Sequence, residues 1–401
     1  MTGRWTRGAL LLGVATLTAA ALAGTAAARV DAGGTSAAKT VNVGFIYSRT
    51  GGLAAFGQEE FDGFNAGLAY TKGKCGGYTI KPTFIDDATD PATAVAAFKN
   101  LVGQGVKVIA GTDSSGIALQ LAPLAAQNNI LYVSSAAAAD AITGLNRNTF
   151  RSGRQTLQDV LDAANIFPPK TTGKKVEVFA EDTAFGAGNV AAVQAIFGGK
   201  GQAVSKILSP FGVADLTPYA QQLKNSNADA AFVAWANTTN AAAMWQSLQQ
   251  QGVPQKMTII TGLANRESYD AIGPLVQGVT LISHYVYQAP KNAVNTWLIK
   301  YLAKQHKGVP NIFTPDGFVA AQMICRALQK GGTDTSKQIS ALEGWQFLAP
   351  KGKQYIRAAD HAMIQPMFQV QLVPGKNGHF NVKVLKTISP GNVQPPVTPF
   401  K

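Results

Sequence analysis

Short runs rich in β-branched and aromatic residues alternate with segments of helical spacing along most of this chain. Eight of these runs are predicted as strands, at 41–47, 78–86, 106–111, 130–135, 176–181, 230–236, 257–262 and 279–285. After the second run, Asp90 is placed to cap a helix and Pro91 suits its first turn. Strands that alternate with helices form parallel sheets covered on both faces, so an α/β fold with doubly wound parallel sheets is predicted.

The N-terminus has the pattern of an export signal. Arg4 and Arg7 precede an apolar run over 9–24, and an A-x-A cleavage pattern ends at Ala28. Residues 1–28 are therefore predicted to be a signal peptide that is cleaved near Ala28. The exported chain is expected in the periplasm or another extracytoplasmic part of the cell envelope. A membrane anchor is the alternative, but the run falls short of the ~20 apolar residues that a span needs.

The same segment excludes a lipid anchor on a cysteine. Residues 22–24 resemble a lipoprotein cleavage box, but Thr25 occupies the position of the lipid-bearing cysteine and offers no thiol. Cleavage removes two arginines and no acid, so the chain stays basic from its initial net charge of +13. The sequence has no dense Lys/Arg stripe with interleaved aromatics, and nucleic acid is not expected as a partner.

Length and composition predict two lobes. Of the 401 residues, 46% are hydrophobic and 14% are charged, which suffices to fill two cores of ordinary domain size. The cysteines, Cys75 and Cys325, are far apart in sequence, and export favours a structural disulfide over the alternative of two buried free thiols. Neither has a histidine or second cysteine at a metal-ligand spacing, so no metal site and no cofactor are expected.

Ligands of open parallel sheets bind outside the carboxyl ends of the strands, so the turns after the strands are the candidate sites. These turns are 48–57, 111–116, 134–140, 181–188, 235–240 and 261–267. Together they supply hydroxyls, backbone donors and three aromatic residues, Phe56, Phe185 and Trp235. This set suits a small amphipathic solute better than a phosphate or a sugar polymer.

The turn GTDSSG at 111–116 is the strongest of these candidates. A β-branched strand precedes it and a helical pattern follows it. Its polar residues at the helix N-terminus are Thr112, Asp113, Ser114 and Ser115. Unpaired backbone N–H groups and the helix dipole favour an anion there, so the turn is predicted to bind a small carboxylate. A simple helix-capping role for Ser114 is the alternative.

Several motifs, taken in order, resemble one family. The chain resembles the extracytoplasmic solute-binding proteins of branched-chain amino-acid (Leu/Ile/Val-type) ABC transporters. The segments that carry the resemblance are SRTGGLAAFGQEEFDGFNAGL at 48–68, KVIAGTDSSG at 107–116 and ILYVSSAAAAD at 130–140. The resemblance continues through FVAWANTTNAAAMWQSLQQQG at 232–252 and PDGFVAAQMICRAL at 315–328. It implies a type I periplasmic-binding fold, in which two α/β lobes are joined by three hinge crossovers and close over a ligand.

On this template, one lobe combines 39–154 with 286–362 and the other combines 155–285 with 363–401. Both cysteines fall in the first lobe, which agrees with a disulfide between them. The resemblance also implies a small-molecule ligand, a branched-chain amino acid or a related small carboxylate or amide, and membrane permease subunits that receive it. A ligand-sensing module of the same fold is an alternative that the sequence does not separate from transport. We expect a monomer.

The family's ligand-binding positions fall on particular residues of this sequence. Its carboxylate-binding serine matches Ser114, and its backbone acceptor for the ligand ammonium matches Ala136. Its usual threonine at the next polar position is replaced by Ala138, so one hydroxyl is missing. The residues that match the walls of the side-chain pocket are Phe56 in one lobe and Phe185, Trp235 and Thr238 in the other. Plain core packing is the alternative for Phe56 and Trp235.

The largest departure from the family pattern is Thr261, which stands where the family has an acid that pairs with the amino group. A buried ammonium without that partner loses a charge-assisted hydrogen bond of roughly 1.5–3 kcal/mol. Asp113 and Glu267 are candidates to replace the acid, although a capping role suits Glu267 better. An aromatic or short aliphatic acid with no amine fits Thr261 and Ala138 at least as well as an amino acid does.

A secreted hydrolase of a small amide or ester, with Ser114 as nucleophile, is the alternative from another class. The turn around Ser114 lacks the G-x-S-x-G order of a hydrolase elbow. None of the four histidines lies in a motif that marks a catalytic base; they are His284, His306, His361 and His379. We therefore expect a binding protein without catalytic residues.

Overall fold

A computed structural model of the protein describes residues 38–72, 75–167 and 174–401. Within these ranges the chain forms a five-stranded sheet, a seven-stranded sheet and a small three-stranded sheet. The predicted signal peptide, 1–28, lies outside the described residues. None of the helices in the described ranges has the length and apolarity to cross a membrane.

The first sheet is parallel throughout, with the strand order β2-β1-β3-β4-β5. Its strands are β1 (Lys39–Tyr47), β2 (Tyr78–Asp86), β3 (Val108–Gly111), β4 (Leu131–Ser134) and β5 (Thr149–Arg151). The connecting helices are α1 (Ala54–Thr71), α2 (Pro91–Gly103) and α3 (Ser115–Gln127). Successive strand residues face opposite sides, so Phe45 packs in a core with α1 and Ile46 packs in a core with α2 and α3. This sheet is therefore covered on both faces, as predicted.

Helix α2 begins as the sequence predicts. Asp90 Oδ1 accepts a hydrogen bond from the backbone N–H of Thr93 at 2.7 Å, and Pro91 occupies the first turn. The carboxylate satisfies one of the N–H groups that the first turn of a helix leaves unpaired, and proline lacks such a group.

The second sheet starts with five parallel strands. These are β6 (Lys175–Glu181), β7 (Ala203–Ser209), β8 (Ala230–Ala234), β9 (Thr258–Gly262) and β10 (Leu281–Ser283). The helices of this part are α4 (Thr156–Ile166), α5 (Ala184–Ile196), α6 (Thr217–Asn225), α7 (Ala241–Gln250), α8 (Val253–Lys256) and α9 (Tyr269–Ile272). Phe179 and Val178 of β6 face two different cores, so this sheet is also doubly wound.

After β10 the chain returns to the first sheet. It forms α10 (Ala293–Lys304), α11 (Thr314–Gly331), α12 (Thr335–Leu342) and a small antiparallel sheet of β11 (Gln346–Ala349), β12 (Gly352–Ile356) and β13 (Met363–Ile364). Helix α11 packs directly on α1. A Cβ atom on Gly63 would collide with the Thr314 carbonyl oxygen, and one on Gly317 would collide with the Glu60 carbonyl oxygen. The two helix backbones approach this closely because glycine stands at both contacts.

The chain then completes the second sheet with β14 (Met367–Pro374) and β15 (Phe380–Ile388), which pair in the order β15-β14-β10-β9-β8-β6-β7. Both of the added strands pair antiparallel, so one edge of this mostly parallel sheet differs from the expected pattern. Three segments connect the two large sheets: 152–155, 284–292 and 365–366. This α/β architecture with three crossovers confirms the predicted fold class.

The lobe bounds 39–154 with 286–362 and 155–285 with 363–401 stay a prediction. The end of the chain contacts residues of the predicted first lobe. Arg357 Nη1 donates to the carbonyl of Pro395 at 2.7 Å, and the Thr398 N–H donates to Asp360 Oδ2 at 3.0 Å.

All eight predicted strands are present, and seven further strands were not predicted. Strands β5 and β13 have only three and two residues, which is too short for a periodic signal. Strands β14 and β15 alternate apolar and polar residues over much of their length, so their signal was present in the sequence.

Cys75 and Cys325 form a disulfide, as predicted. The bond links the segment before β2 to α11, across a sequence separation of 250 residues. It therefore ties together the two distant parts of the chain that cover the first sheet.

The double variant Cys75→Ala, Cys325→Ala is expected to lower the free energy of unfolding by about 2–4 kcal/mol, because the cross-link restricts the unfolded chain. Urea unfolding measures the change. Reductant serves as the control, since it should destabilise the parent protein and leave the double variant unaffected. Equal stability of parent and variant would contradict the prediction.

Candidate functional site

A cavity of about 400 Å³ lies at the carboxyl ends of strands from both large sheets. Turns of both sheets line it, together with Arg154 of the first crossover and His284 of the second. The volume falls within the roughly 300–1,000 Å³ that is typical of small-molecule sites. The position agrees with the rule that open parallel sheets bind ligands beyond their carboxyl ends.

The cavity brings together ten of the eleven residues that the sequence predicts as a ligand site: Phe56, Asp113, Ser114, Ser115, Ala136, Ala138, Phe185, Trp235, Thr238 and Thr261. Thr112 is not in its wall. The Thr112 hydroxyl shares a 2.5 Å hydrogen bond with the Tyr132 hydroxyl, and its φ of 76° is left-handed, which is uncommon for a residue with a side chain. Thr112 therefore shapes the turn rather than the cavity surface.

The serine turn (residues 111–116) offers one hydroxyl to a ligand. Ser114 is the N-cap residue of α3, and its hydroxyl has no hydrogen-bond partner within the described part of the chain. The Ser115 hydroxyl, by contrast, accepts from the N–H of Ala139 at 3.1 Å. The N-terminus of α3 adds unpaired N–H groups and a favourable dipole for an anion.

The alanine turn (residues 134–140) is fixed by hydrogen bonds to its carbonyl groups. Arg151, which is fully buried, donates to the carbonyls of Ala137 at 2.6 Å and Ala139 at 2.9 Å. Thr156 donates to the Ala138 carbonyl through its N–H and its hydroxyl. Burial lowers the pKa of Arg151 to about 10, so the guanidinium keeps its charge at neutral pH.

Arg154 is a cavity residue that the sequence reasoning missed. Its Nη1 donates to the Ala136 carbonyl at 3.1 Å, the group that the family resemblance assigns to a ligand ammonium. Its Nε lies 3.2 Å from Asp159 Oδ2 on α4, and its guanidinium carbon lies 5.4 Å from the centroid of the Phe313 ring. Its Nη2 has no acceptor among the residues that the structure describes. A positive charge therefore stands where the template has an ammonium site.

Two buried carboxyl groups, Glu60 and Asp113, lie beside the two turns. Glu60 Oε1 accepts from the N–H of Ala136 at 2.5 Å, and Asp113 Oδ2 accepts from the N–H of Ser48 at 2.9 Å. Burial raises the pKa of Asp113 to about 7. Burial and the nearby Asp113 charge raise the pKa of Glu60 well above its usual range. Asp113 is therefore only partly ionised at neutral pH, and Glu60 is a weaker acid than an exposed glutamate.

Of the two candidates to replace the missing acid at Thr261, Asp113 lines the cavity and Glu267 does not. The Thr261 hydroxyl donates to the Val233 carbonyl at 2.9 Å. Glu267 Oε2 accepts from the side-chain amides of Asn265 and Asn311, and this residue is not in the cavity wall. Asp159 does line the cavity, but it faces the Arg154 guanidinium.

Aromatic rings form much of the remaining wall. Phe56 meets Phe313 edge to face, with ring centroids 4.6 Å apart. Trp235 lies 5.4 Å from Phe179 between centroids and donates from Nε1 to Asn240 at 3.0 Å. Phe56 and Trp235 also pack against the core, so they line the cavity and stabilise its wall at the same time.

Cavity residues that lie outside the predicted turns include Arg154, Asp159, His284 and Phe313. Asn265 lies within the predicted turn 261–267 but was not named as a ligand contact. Arg154 follows β5, which is too short to be predicted, and His284 lies within the predicted strand 279–285, although β10 ends at Ser283. Burial and the nearby positive charges of Arg154 and Lys351 lower the pKa of His284 well below its usual value, so its imidazole is neutral. Within the described ranges, no group of three or more potential metal ligands occurs.

One contact joins the turns of the two sheets across the cavity rim. The N–H and the hydroxyl of Thr238 both donate to the Gly52 carbonyl, each at 3.1 Å. Phe211 covers the same point, because a Cβ atom on Gly52 would lie 2.6 Å from its ring. These contacts hold the two rims together.

Thr238→Val keeps the shape of the side chain and removes the hydroxyl donor, so we expect affinity for the bound solute to fall several-fold. A neutral hydrogen bond contributes about 0.5–1.5 kcal/mol. Thr238→Ser, which keeps the hydroxyl, is the matched control. Isothermal titration calorimetry measures the affinity of each variant. Equal affinities of the two variants would show that the Thr238 hydroxyl does not contribute to binding.

A family model described as periplasmic binding protein matches residues 40–378. The chain therefore belongs to the periplasmic binding protein family. It is 25% identical over 307 residues to Leu/Ile/Val-binding protein homolog 3 of Brucella melitensis biotype 1, which covers 75% of this chain and 82% of that protein.

Two solved structures are similar over most of the chain. An ABC-type branched-chain amino acid transporter from Rhodopseudomonas palustris CGA009 is 29% identical with a TM-score of 0.74, covering 90% of this chain and 100% of that one. A solute-binding protein of an R. palustris ABC transporter, in complex with 4-hydroxybenzoate, is 23% identical with a TM-score of 0.79, covering 88% and 97%. At this identity, the similarity to the 4-hydroxybenzoate complex shows a shared fold.

The protein is thus a periplasmic solute-binding protein of the kind that serves ABC transporters. Members of this family are solute-binding proteins rather than enzymes, which confirms the expectation of a non-enzyme and removes the hydrolase alternative. The family also implies a location outside the cytoplasm. Cleavage near Ala28 and the monomeric state stay predictions.

Proposed function

We propose that the protein captures a branched-chain amino acid or a related small carboxylate or amide by lobe closure and delivers it to the permease of an ABC transporter. The observation that carries this proposal is the free Ser114 hydroxyl at the N-terminus of α3, inside a cavity lined by both sheets. A carboxylate there accepts from a hydroxyl and from backbone N–H groups, in the favourable field of the helix dipole.

The comparisons support this class of ligand. A relative is named a Leu/Ile/Val-binding protein homolog, and a neighbour of the same fold binds 4-hydroxybenzoate. The solutes in these two names all carry a carboxylate, but only the amino acids carry an amine. Screening must therefore include amino acids, acids without an amine, and amides.

The first test is a thermal-shift screen of the purified protein against leucine, isoleucine, valine, other amino acids, aromatic and aliphatic acids, and their amides. A solute at one hundred times its dissociation constant stabilises the folded protein by about 2.7 kcal/mol, which raises the unfolding midpoint by a few degrees. Absence of any stabilising solute in this screen would contradict the proposal.

Ser114→Ala is expected to weaken binding of the stabilising solute by about tenfold or more, because a hydrogen bond to a charged group contributes about 1.5–3 kcal/mol. Ser336→Ala, on the exposed face of α12, removes a hydroxyl far from the cavity and serves as the control. Calorimetric titration gives the affinities. If Ser114→Ala binds as tightly as Ser336→Ala, the serine turn does not hold the carboxylate.

Binding of a carboxylate is expected to weaken several-fold between pH 6 and pH 8. The pKa of Asp113 is raised to about 7, so its carboxyl group is mostly neutral at the lower pH and mostly ionised at the higher, where it repels the ligand. Asp113→Asn keeps an acceptor for the Ser48 N–H and cannot ionise, so its affinity should change less with pH. Parallel pH profiles for the two proteins would count against this role of Asp113.

A further inference from the structure

We propose that Arg154 selects the charge of the ligand: the solute is a carboxylic acid that carries no ammonium group, and Arg154 binds it together with the serine turn. This inference rests on the proposed function and narrows its ligand class.

The first argument is the occupancy of the Ala136 carbonyl. That oxygen accepts from Arg154 Nη1 at 3.1 Å, so a ligand ammonium placed there would compete with a guanidinium for one acceptor. The two groups would also be like charges at close range in a site with little water. Arg154 is 8% exposed and cannot move its charge into solvent without leaving this hydrogen bond.

The second argument is the donor that Arg154 leaves unused. Nη1 donates to the Ala136 carbonyl, and Nε lies 3.2 Å from Asp159 Oδ2 without forming a hydrogen bond. Nη2 has no acceptor within the described ranges. Arg154 itself lines the cavity. A guanidinium presents its donors in a planar fork that matches the two oxygens of a carboxylate, so an anionic ligand satisfies what the protein leaves open.

The third argument is that the acids around the cavity give an ammonium no dedicated partner. Asp159 pairs with Arg154, and burial raises the pKa of Glu60 well above its usual range. Asp113 accepts from the Ser48 N–H through Oδ2 only, but burial raises its pKa to about 7, so it offers an ammonium a partly charged partner at neutral pH. The Thr261 hydroxyl is committed to the Val233 carbonyl. An amino acid would therefore bury its ammonium only partly compensated, which is costly.

The fourth argument concerns the body of the ligand. The wall opposite the polar turns is built from aromatic rings, among them Phe56, Phe185, Trp235 and Phe313. Such rings pack well on another ring in stacked or edge-to-face geometry. Within the class of amine-free acids, an aromatic or aryl-alkanoic acid suits these walls best.

The decisive experiment compares pairs of compounds that differ by the amine alone. 3-Phenylpropanoate is compared with L-phenylalanine, and 4-methylpentanoate with L-leucine, by isothermal titration calorimetry at pH 7. We expect the better-binding acid to bind at least about tenfold more tightly than its amino-acid counterpart, which corresponds to about 1.4 kcal/mol.

Arg154→Gln tests the residue itself. The variant should bind the acid at least about tenfold more weakly. The ratio of the affinities for the acid and for its amino-acid counterpart should also fall, which a general destabilisation of the fold would not cause. Arg147→Gln removes the same charge from a surface residue that pairs with Glu343, and it should leave both affinities unchanged. If Arg154→Gln does not fold, the compound pairs measured on the parent protein still decide the question.

The outcomes distinguish failure of the inference about Arg154 from failure of the proposed function. If an amino acid binds as tightly as its acid counterpart or more so, or if Arg154→Gln leaves the gap unchanged, the inference is overturned and the proposed function stands. If no amino acid, acid or amide of the thermal-shift screen binds, the proposed function fails and the inference fails with it.

Discussion

Two arginines, Arg151 at the end of β5 and Arg154 on the first crossover, hold the turn on which the cavity depends. Arg151 is fully buried and donates to the carbonyls of Ala137 and Ala139, and Arg154 donates to that of Ala136. A turn made of four successive alanines has no side-chain groups with which to satisfy its own backbone. The guanidinium groups supply the missing donors, and a buried backbone carbonyl without a partner would be costly. The cavity wall is therefore fixed by one cation from the end of β5 and one from the segment that joins the two sheets.

The position of Arg154 determines the charge that the cavity offers to a ligand. Because Arg154 lies on a crossover, it touches the first sheet through Ala136 and the second through Asp159 of α4. Among the acids beside it, Asp159 pairs with the guanidinium, and burial raises the pKa of both Glu60 and Asp113. The helix N-terminus at Ser114 and the Arg154 guanidinium therefore both favour an anionic ligand. Thr261 fits this pattern, because an acid at that position would oppose it.

Local patterns predicted most of the fold. The eight strands, the cap at Asp90 and the turns after the strands follow from residue periodicity and from helix-terminus chemistry, which act over a few residues. The disulfide followed from export and from the family resemblance. The antiparallel edge of the second sheet was missed although β14 and β15 alternate over much of their length.

The candidate site was predicted only where a turn carries its own signal. The serine turn was found because its strand, hydroxyls and helix are contiguous in sequence. Arg154 was not, because its role depends on the Ala136 carbonyl and on Asp159, which meet it only in the folded chain. Thr112 was predicted as a ligand contact on the same local evidence, yet Tyr132, from the next strand, takes its hydroxyl. The raised pKa of Glu60 likewise arises from burial, which no local pattern encodes.

The most direct test of this account is a crystal structure of the protein with the solute that stabilises it most in the thermal-shift screen. The account predicts electron density for a carboxylate between the Ser114 hydroxyl, the N-terminus of α3 and Arg154 Nη2, with the rest of the solute against the aromatic wall. Density for the solute elsewhere, such as the smaller cavity beside Arg266 and Tyr287, would contradict it. So would a bound ammonium group at the Ala136 carbonyl with Arg154 turned away.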